Sequence, residues 1–182
     1  MIIGLIVLSS LTIVGYVETT IPNVNALAAQ QATTIYYSDG KTVLARIGDT
    51  NRTDVPLSQV PVSVQHAVLA AEDRNFYNEP GISPTGIIRA LLVDLKGGDI
   101  SQGGSTITQQ YVKNAYLSPH RSLTRKIKEI FIATKLARTE SKSTILGDYL
   151  NTIYYGRGAY GIEAAAKAYF HEDVSRLTVA QG

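Results

Sequence analysis

The 182-residue chain has no cysteine and no tryptophan, and only one methionine and three histidines. The missing cysteines exclude a disulfide scaffold, thiol chemistry and any cysteine-based zinc site. His66, His120 and His171 stand far apart with no ligand spacing, so a histidine metal centre is not indicated either. Net charge is only +2, too little to point to nucleic acid. Charge of either sign is absent from residues 1–17; the first acidic residue is Glu18. An apolar helix through Ile21, stopped by Pro22, would span roughly 30 Å, about one hydrocarbon core. The rival reading is a cleaved signal, because Ala26-Leu27-Ala28 resembles a small-residue cleavage site. Both readings put the rest of the chain outside the cytoplasm.

Apolar residues make up 45% of the chain, enough for one sizeable core. The expected organisation is a membrane anchor over 1–22, a linker with a β-hairpin over 23–60, and a mainly α-helical domain over 61–182. Asp39-Gly40 between two β-type runs signals the hairpin. From Pro61 the pattern turns helical: Val64, Ala67, Val68 and Ala71 form an apolar stripe that delivers Glu72 and Asp73 at its end. Ser83-Pro84 opens a helix expected over 83–96. Ile127, Ile130, Phe131 and Thr134 read as the apolar face of a long helix, and further helices are expected over 143–154 and 161–169. Thr178 reads as another cap; Leu177 and Val179 begin an apolar pattern that the chain ends before completing, so some exposed core surface is expected. Residues 121–142 hold seven Lys or Arg against Glu129 and Glu140, a face suited to diphosphate or to anionic headgroups.

The run from Gly103-Gly104-Ser105 into Thr106-Ile107-Thr108-Gln109-Gln110-Tyr111-Val112-Lys113 is the most specific local signal. Glycine lets backbone approach a ligand, and a helix start offers N–H groups to an anion. Thr106, Gln109, Gln110 and Lys113 recur at helical spacing and are expected to share one polar face. The plainer alternative is that Ser105 only caps a surface helix.

Four more blocks surround this run: Glu72-Asp73-Arg74-Asn75-Phe76-Tyr77, Arg125-Lys126-Ile127-Lys128-Glu129, Ile145-Leu146-Gly147-Asp148-Tyr149-Leu150-Asn151, and Arg157-Gly158-Ala159-Tyr160-Gly161. In order, wording and spacing the five blocks resemble the glycosyltransferase (transglycosylase) domain of class A penicillin-binding proteins, the peptidoglycan polymerases. The wording around Ile82-Ser83-Pro84-Thr85-Gly86 is similar to actinobacterial members. Two positions depart from the family's wording. Glu79 stands where histidine is usual, and Gly147 where glutamate is usual.

The resemblance implies a lysozyme-like, two-lobed helical fold beside the membrane, with a polyprenyl-diphosphate glycan strand as donor and lipid II as acceptor. It implies that Glu72 is the general base on the acceptor 4-hydroxyl. Glu129 would assist at the diphosphate, in some members with a divalent cation such as Mg²⁺. Ser105, Thr106, Gln109, Gln110 and Lys113 would line the donor site, and Arg121 and Lys128 match positions that contact diphosphate. Asp73 and Asn151 are counted with the binding residues, although Asn151, with Arg157 and Tyr160, reads more as scaffolding than as chemistry. Glu129 is the one metal-ligand candidate, and no organic cofactor is implied. Other implied partners are the cytoplasmic membrane, cell-wall synthesis proteins and moenomycin-type ligands. The residues agree with this chemistry: a sugar diphosphate has a good leaving group, so the site needs one base and several cations and has less need of an acid. Glu129 is expected to be a poor proton acceptor among Arg125, Lys126 and Lys128, with an i,i+4 ion pair to Arg125 as the plain alternative. A lysozyme-like hydrolase and a catalytically silent lipid II-binding scaffold are the competing functions.

Overall fold

The computed structural model describes residues 14–22, 33–47, 51–82, 105–118, 120 and 122–182. The helix expected over 83–96, the glycines Gly103 and Gly104, Arg121 and most of the uncharged N-terminal run lie outside the described residues. What is described is mainly helical. Helix α1 spans Val62–Glu72, α2 Ile107–Tyr116, α3 Leu123–Thr139, α4 Lys142–Thr152 and α5 Ile162–Phe170.

Each start has a local cause. Ser122 and Ser141 accept from the N–H groups of Arg125 and Thr144, both at 3.0 Å, and so begin α3 and α4. Helix α2 forms the centre, packed on α3 and α4. Ile107, Val112 and Ala115 have no exposed surface, and Tyr111 is buried beside them. Burial of such side chains contributes about 1.5–3 kcal/mol each for the larger ones. Helix α1 buries Val64 and Leu69 while Ala71 is exposed. The stripe therefore turns toward Leu69, the bulkiest apolar side chain on that helix.

Strands β1 (Thr33–Tyr36) and β2 (Val43–Ile47) form the expected hairpin, antiparallel with Thr33 opposite Ile47. Its turn is held by Asp39, whose Oδ1 accepts from the N–H groups of Lys41 and Thr42 at 2.9 Å. A second sheet orders β3 (Asn51–Arg52), β5 (Ala159–Tyr160) and β4 (Tyr154–Gly156), with β3 parallel to β5. Arg52 and Val60 are buried, and both backbone groups of Val55 bond to the Asn151 amide at 3.1 and 2.9 Å. Residues 51–60 are thus tied to the helices by pairings about a hundred residues apart.

Helix α3 also differs from expectation. Its core face is Glu129, Ile132, Ala133 and Leu136, while Ile127 is 53% exposed. The expected stripe is offset by two positions, about 200° round a helix, and so points away from the core. Helix α3 has apolar residues on both faces, which is why periodicity alone chose the wrong one. On the outer face the Phe131 ring meets the edge of Tyr16, centroids 5.9 Å apart, from a helical segment at residues 14–18. Lys135 donates to the Val17 carbonyl at 3.1 Å and also to that of Thr19. Among the described residues no helix is long and apolar enough to cross a membrane.

Gly147, the departure inside α4, is not required by packing. A Cβ there would lie 3.5 Å from the Leu57 Cβ, an ordinary contact. Gly147→Ala is therefore expected to raise stability by about 0.5–1 kcal/mol through helix propensity. Thermal unfolding checks this, and a lowered melting temperature would contradict it. At the C-terminus Thr178 caps a 3₁₀ turn over Val179–Gln181; Leu177 is buried and Val179 is exposed.

Candidate active site

The last residue of α1, Glu72, presents an exposed carboxylate. Its Oε2 accepts from the Gln110 amide nitrogen at 2.8 Å, across 38 residues of sequence. The other end of that amide, Gln110 Oε1, accepts from the Tyr149 hydroxyl at 3.4 Å. Burial pushes the Tyr149 hydroxyl upward in pKa, reinforced by the charges of Glu72 and Asp73, so it stays protonated and remains a donor. The amide is thus oriented from both sides: hydroxyl on its oxygen, carboxylate on its nitrogen. This leaves Glu72 held at one oxygen and open to solvent.

The second half of the site lies at the start of α2 and on α3. Lys126 donates to Ser105 Oγ at 3.2 Å and pairs with Glu129 one turn further along α3. The Glu129 side chain is buried, so the lysine is its counter-ion in a low-dielectric setting. Gln110 Nε2 also reaches the Ser105 carbonyl at 3.5 Å. Ser105 therefore sits between the two glutamates, linked to Glu72 through Gln110 and to Glu129 through Lys126.

Several of the residues expected to bind ligand make hydrogen bonds within the protein. Thr106 is the N-cap of α2. Its hydroxyl accepts from Gln109 N–H at 3.2 Å and donates to the Gly81 carbonyl at 2.8 Å. Gln109 Oε1 returns a bond to Thr106 N–H at 3.0 Å, completing a capping box. Both residues are buried. Asp73 Oδ2 accepts from the N–H of Ile107 at 3.0 Å, so it too caps α2. The helix start read as an anion notch therefore has three of its N–H groups, those of Thr106, Ile107 and Gln109, already bonded within the protein. The expected polar face splits accordingly: Thr106 and Gln109 face inward, Gln110 reaches Glu72, and Lys113 is exposed. Asn151 is engaged at both ends by Val55, which gives it the scaffolding role.

The sequence named Lys126 only as one of three cations around Glu129 and not as a site residue, although its i,i+3 spacing to Glu129 could have marked it. Lys128 is exposed and lies about 200° round α3 from Lys126. It is Lys126 that faces Ser105 and Glu129. The partner of Tyr149 had no local signal, since Gln110 lies 39 residues away.

The family model described as Transglycosylase matches residues 39–182. The chain belongs to the transglycosylase family. It is a glycosyltransferase domain of the class A penicillin-binding protein type. It is 51% identical to penicillin-binding protein 1A of Mycobacterium tuberculosis over 173 residues, 92% of this chain and 21% of that protein. Identity to penicillin-binding protein 1A of Mycolicibacterium smegmatis is 51% over 174 residues, covering 92% and 22%. For penicillin-binding protein 1A of Escherichia coli it is 44% over 167 residues, covering 90% and 20%. The chain spans about a fifth of the length of these curated relatives. No three carboxylates or histidines among the described residues converge, and Glu129 already carries Lys126 as counter-ion.

Proposed function

We propose that this chain polymerises lipid II into β-1,4-linked glycan by inverting transfer from a polyprenyl-diphosphate donor, in bacterial cell-wall synthesis. The observation that carries the proposal is the unequal treatment of two glutamates. Glu72 is open and held at one oxygen by Gln110, while Glu129 is buried and neutralised by Lys126. In the proposed step Glu72 takes the proton of the acceptor 4-hydroxyl as that oxygen attacks the anomeric carbon. The bond from that carbon to the diphosphate breaks, and the leaving group carries off its charge without needing a proton. Lys126, shared between Ser105 and Glu129, is assigned to the diphosphate end; the exposed Lys113 and Arg121 are assigned there from the sequence alone. A single displacement inverts the α-configured donor. The buried, paired state of Glu129 argues against a hydrolase, which needs two usable carboxylates flanking the bond.

The lysozyme-like, two-lobed arrangement is part of this proposal, supported by a buried central helix, α2. So is attachment to the cytoplasmic membrane through the N-terminus, with the domain on the extracytoplasmic side. The docking of Tyr16 on Phe131, with Lys135 and Arg138 within 5.0 and 5.8 Å of its ring, supports a membrane-side position for the outer face of α3.

Incubating the purified chain with labelled lipid II tests the function. Long glycan with release of polyprenyl diphosphate is the expected result. Release of free disaccharide-peptide would favour hydrolysis, and unaltered lipid II would favour the scaffold reading.

A further inference from the structure

Residues 73–81 fold back on themselves and hold the start of α2 at two points. Asp73 accepts from Ile107 N–H, and the Gly81 carbonyl accepts from the Thr106 hydroxyl at 2.8 Å. Turn hydrogen bonds from Phe76 to Asp73 and from Glu79 to Asn75, both 3.1 Å, bring the chain round. Gly81 then lies at φ +85°, where a Cβ would stand 2.4 Å from that of Ala137, so the segment is pressed against α3.

Between these two points sits Glu79. Its Oε1 is buried without any donor in reach, which for an ionised carboxylate is a costly state. The Asp73 carboxyl faces the Glu79 side chain. Two carboxylates cannot satisfy one another without a proton. A proton on Glu79 resolves the conflict, because it makes Glu79 a donor to Asp73.

The charged groups that face Glu79 are Asp73, from the end of α1, and Lys142, from the first turn of α4. The neighbouring part of α3 is apolar, Ala133 and Ala137 around Gly81, and α2 contributes Thr108 and its N-terminal N–H groups. The Lys142 ammonium lies 4.5 Å from the Phe76 ring centroid, and its Nζ is buried with no hydrogen-bond partner. It opposes, without cancelling, the burial and the Asp73 charge that push the Glu79 carboxyl up to about 7.

We propose that Glu79 is a positioning residue for the glycosyl transfer. As a neutral acid it donates to Asp73, which in turn holds Ile107 N–H and fixes the start of α2, the helix that presents Gln110 to Glu72. This rests on the glycosyltransferase reading above. When Glu79 ionises, two carboxylates face each other and the hold on α2 loosens, so the Gln110–Glu72 contact loses its register. The folded value lies above the ordinary 4.5, so the native state binds more protons than the unfolded chain between about 4.5 and about 7. The stability contributed by this contact is complete below that window and lost as pH rises through about 7.

The test is the pH profile of lipid II polymerisation by the whole chain in detergent, with kcat and KM separated. In the parent, kcat is expected to fall severalfold as pH rises from about 6 to about 8.5, with KM little changed. Glu79→Gln, a permanent donor that does not titrate, should remove that fall and keep the low-pH rate throughout. A Glu79→Gln profile that falls at the same midpoint as the parent would overturn the inference while leaving the glycosyltransferase reading intact. A parent inactive at every pH would overturn that reading, and this role with it. Should Glu79→Gln fail to fold, Lys142→Gln decides: loss of the facing ammonium should move the parent's midpoint upward, and an unmoved midpoint would refute the inference.

Discussion

Replacing Glu72 by glutamine is expected to reduce polymerisation by about 10²–10⁴-fold, the usual contribution of a positioned general base. The substitution keeps shape and size, and an amide oxygen can still accept from Gln110. What is lost is the ability to take the acceptor's proton. Binding of lipid II or a moenomycin-type ligand should persist, because Glu72 is exposed and bonded only at the rim of the network. Gln110→Ala should act in the same direction but more weakly, since it removes the holder and leaves the base. Turnover measured beside ligand binding separates these effects. A Glu72→Gln protein that polymerises at near-normal rate would remove Glu72 as the base.

The largest effect on stability is expected from Lys126→Ala. Glu129 is 1% exposed, so deletion of its counter-ion leaves a buried charge unpaired. Breaking a fully buried pair this way costs about 3–5 kcal/mol. The Lys126 side chain is 33% exposed, which admits water and places the loss nearer about 2–3 kcal/mol. Glu129→Gln should be milder, because a neutral amide tolerates the site better. Combining Lys126→Ala with Glu129→Gln should recover part of the loss, since no buried charge then remains. Denaturant unfolding of the three variants measures this. Strictly additive losses would show that the pair does not couple.

What the sequence made legible was local. The Asp-Gly turn, the start of α1 after Pro61 and the approximate spans of α4 and α5 follow from signals within a few residues. The five blocks located both glutamates. The chemistry of each polar residue was harder to read, because it depends on contacts made across the fold. Thr106, Gln109 and Asp73 have the residue types of a binding face, and those types alone give no sign that they also close a helix start. Lys126 and Lys128 are indistinguishable by composition, and only the winding of α3 decides which one faces Glu129. The outer stripe of α3 was read as core because Ile127 and Phe131 are as apolar as Ile132 and Leu136. Asn151 could not be placed from sequence, since Val55 lies 96 residues away.

The proposed site holds one working carboxylate, which acts as a base in a single displacement. The anomeric configuration of the new linkage in the product tests it most directly. With an α-configured lipid II donor, nuclear magnetic resonance of the isolated glycan should show β-linkages throughout, and a β-1,4-specific muramidase should digest it. An α-linked product would mean net retention, which a single inverting displacement cannot give, and would rule that mechanism out.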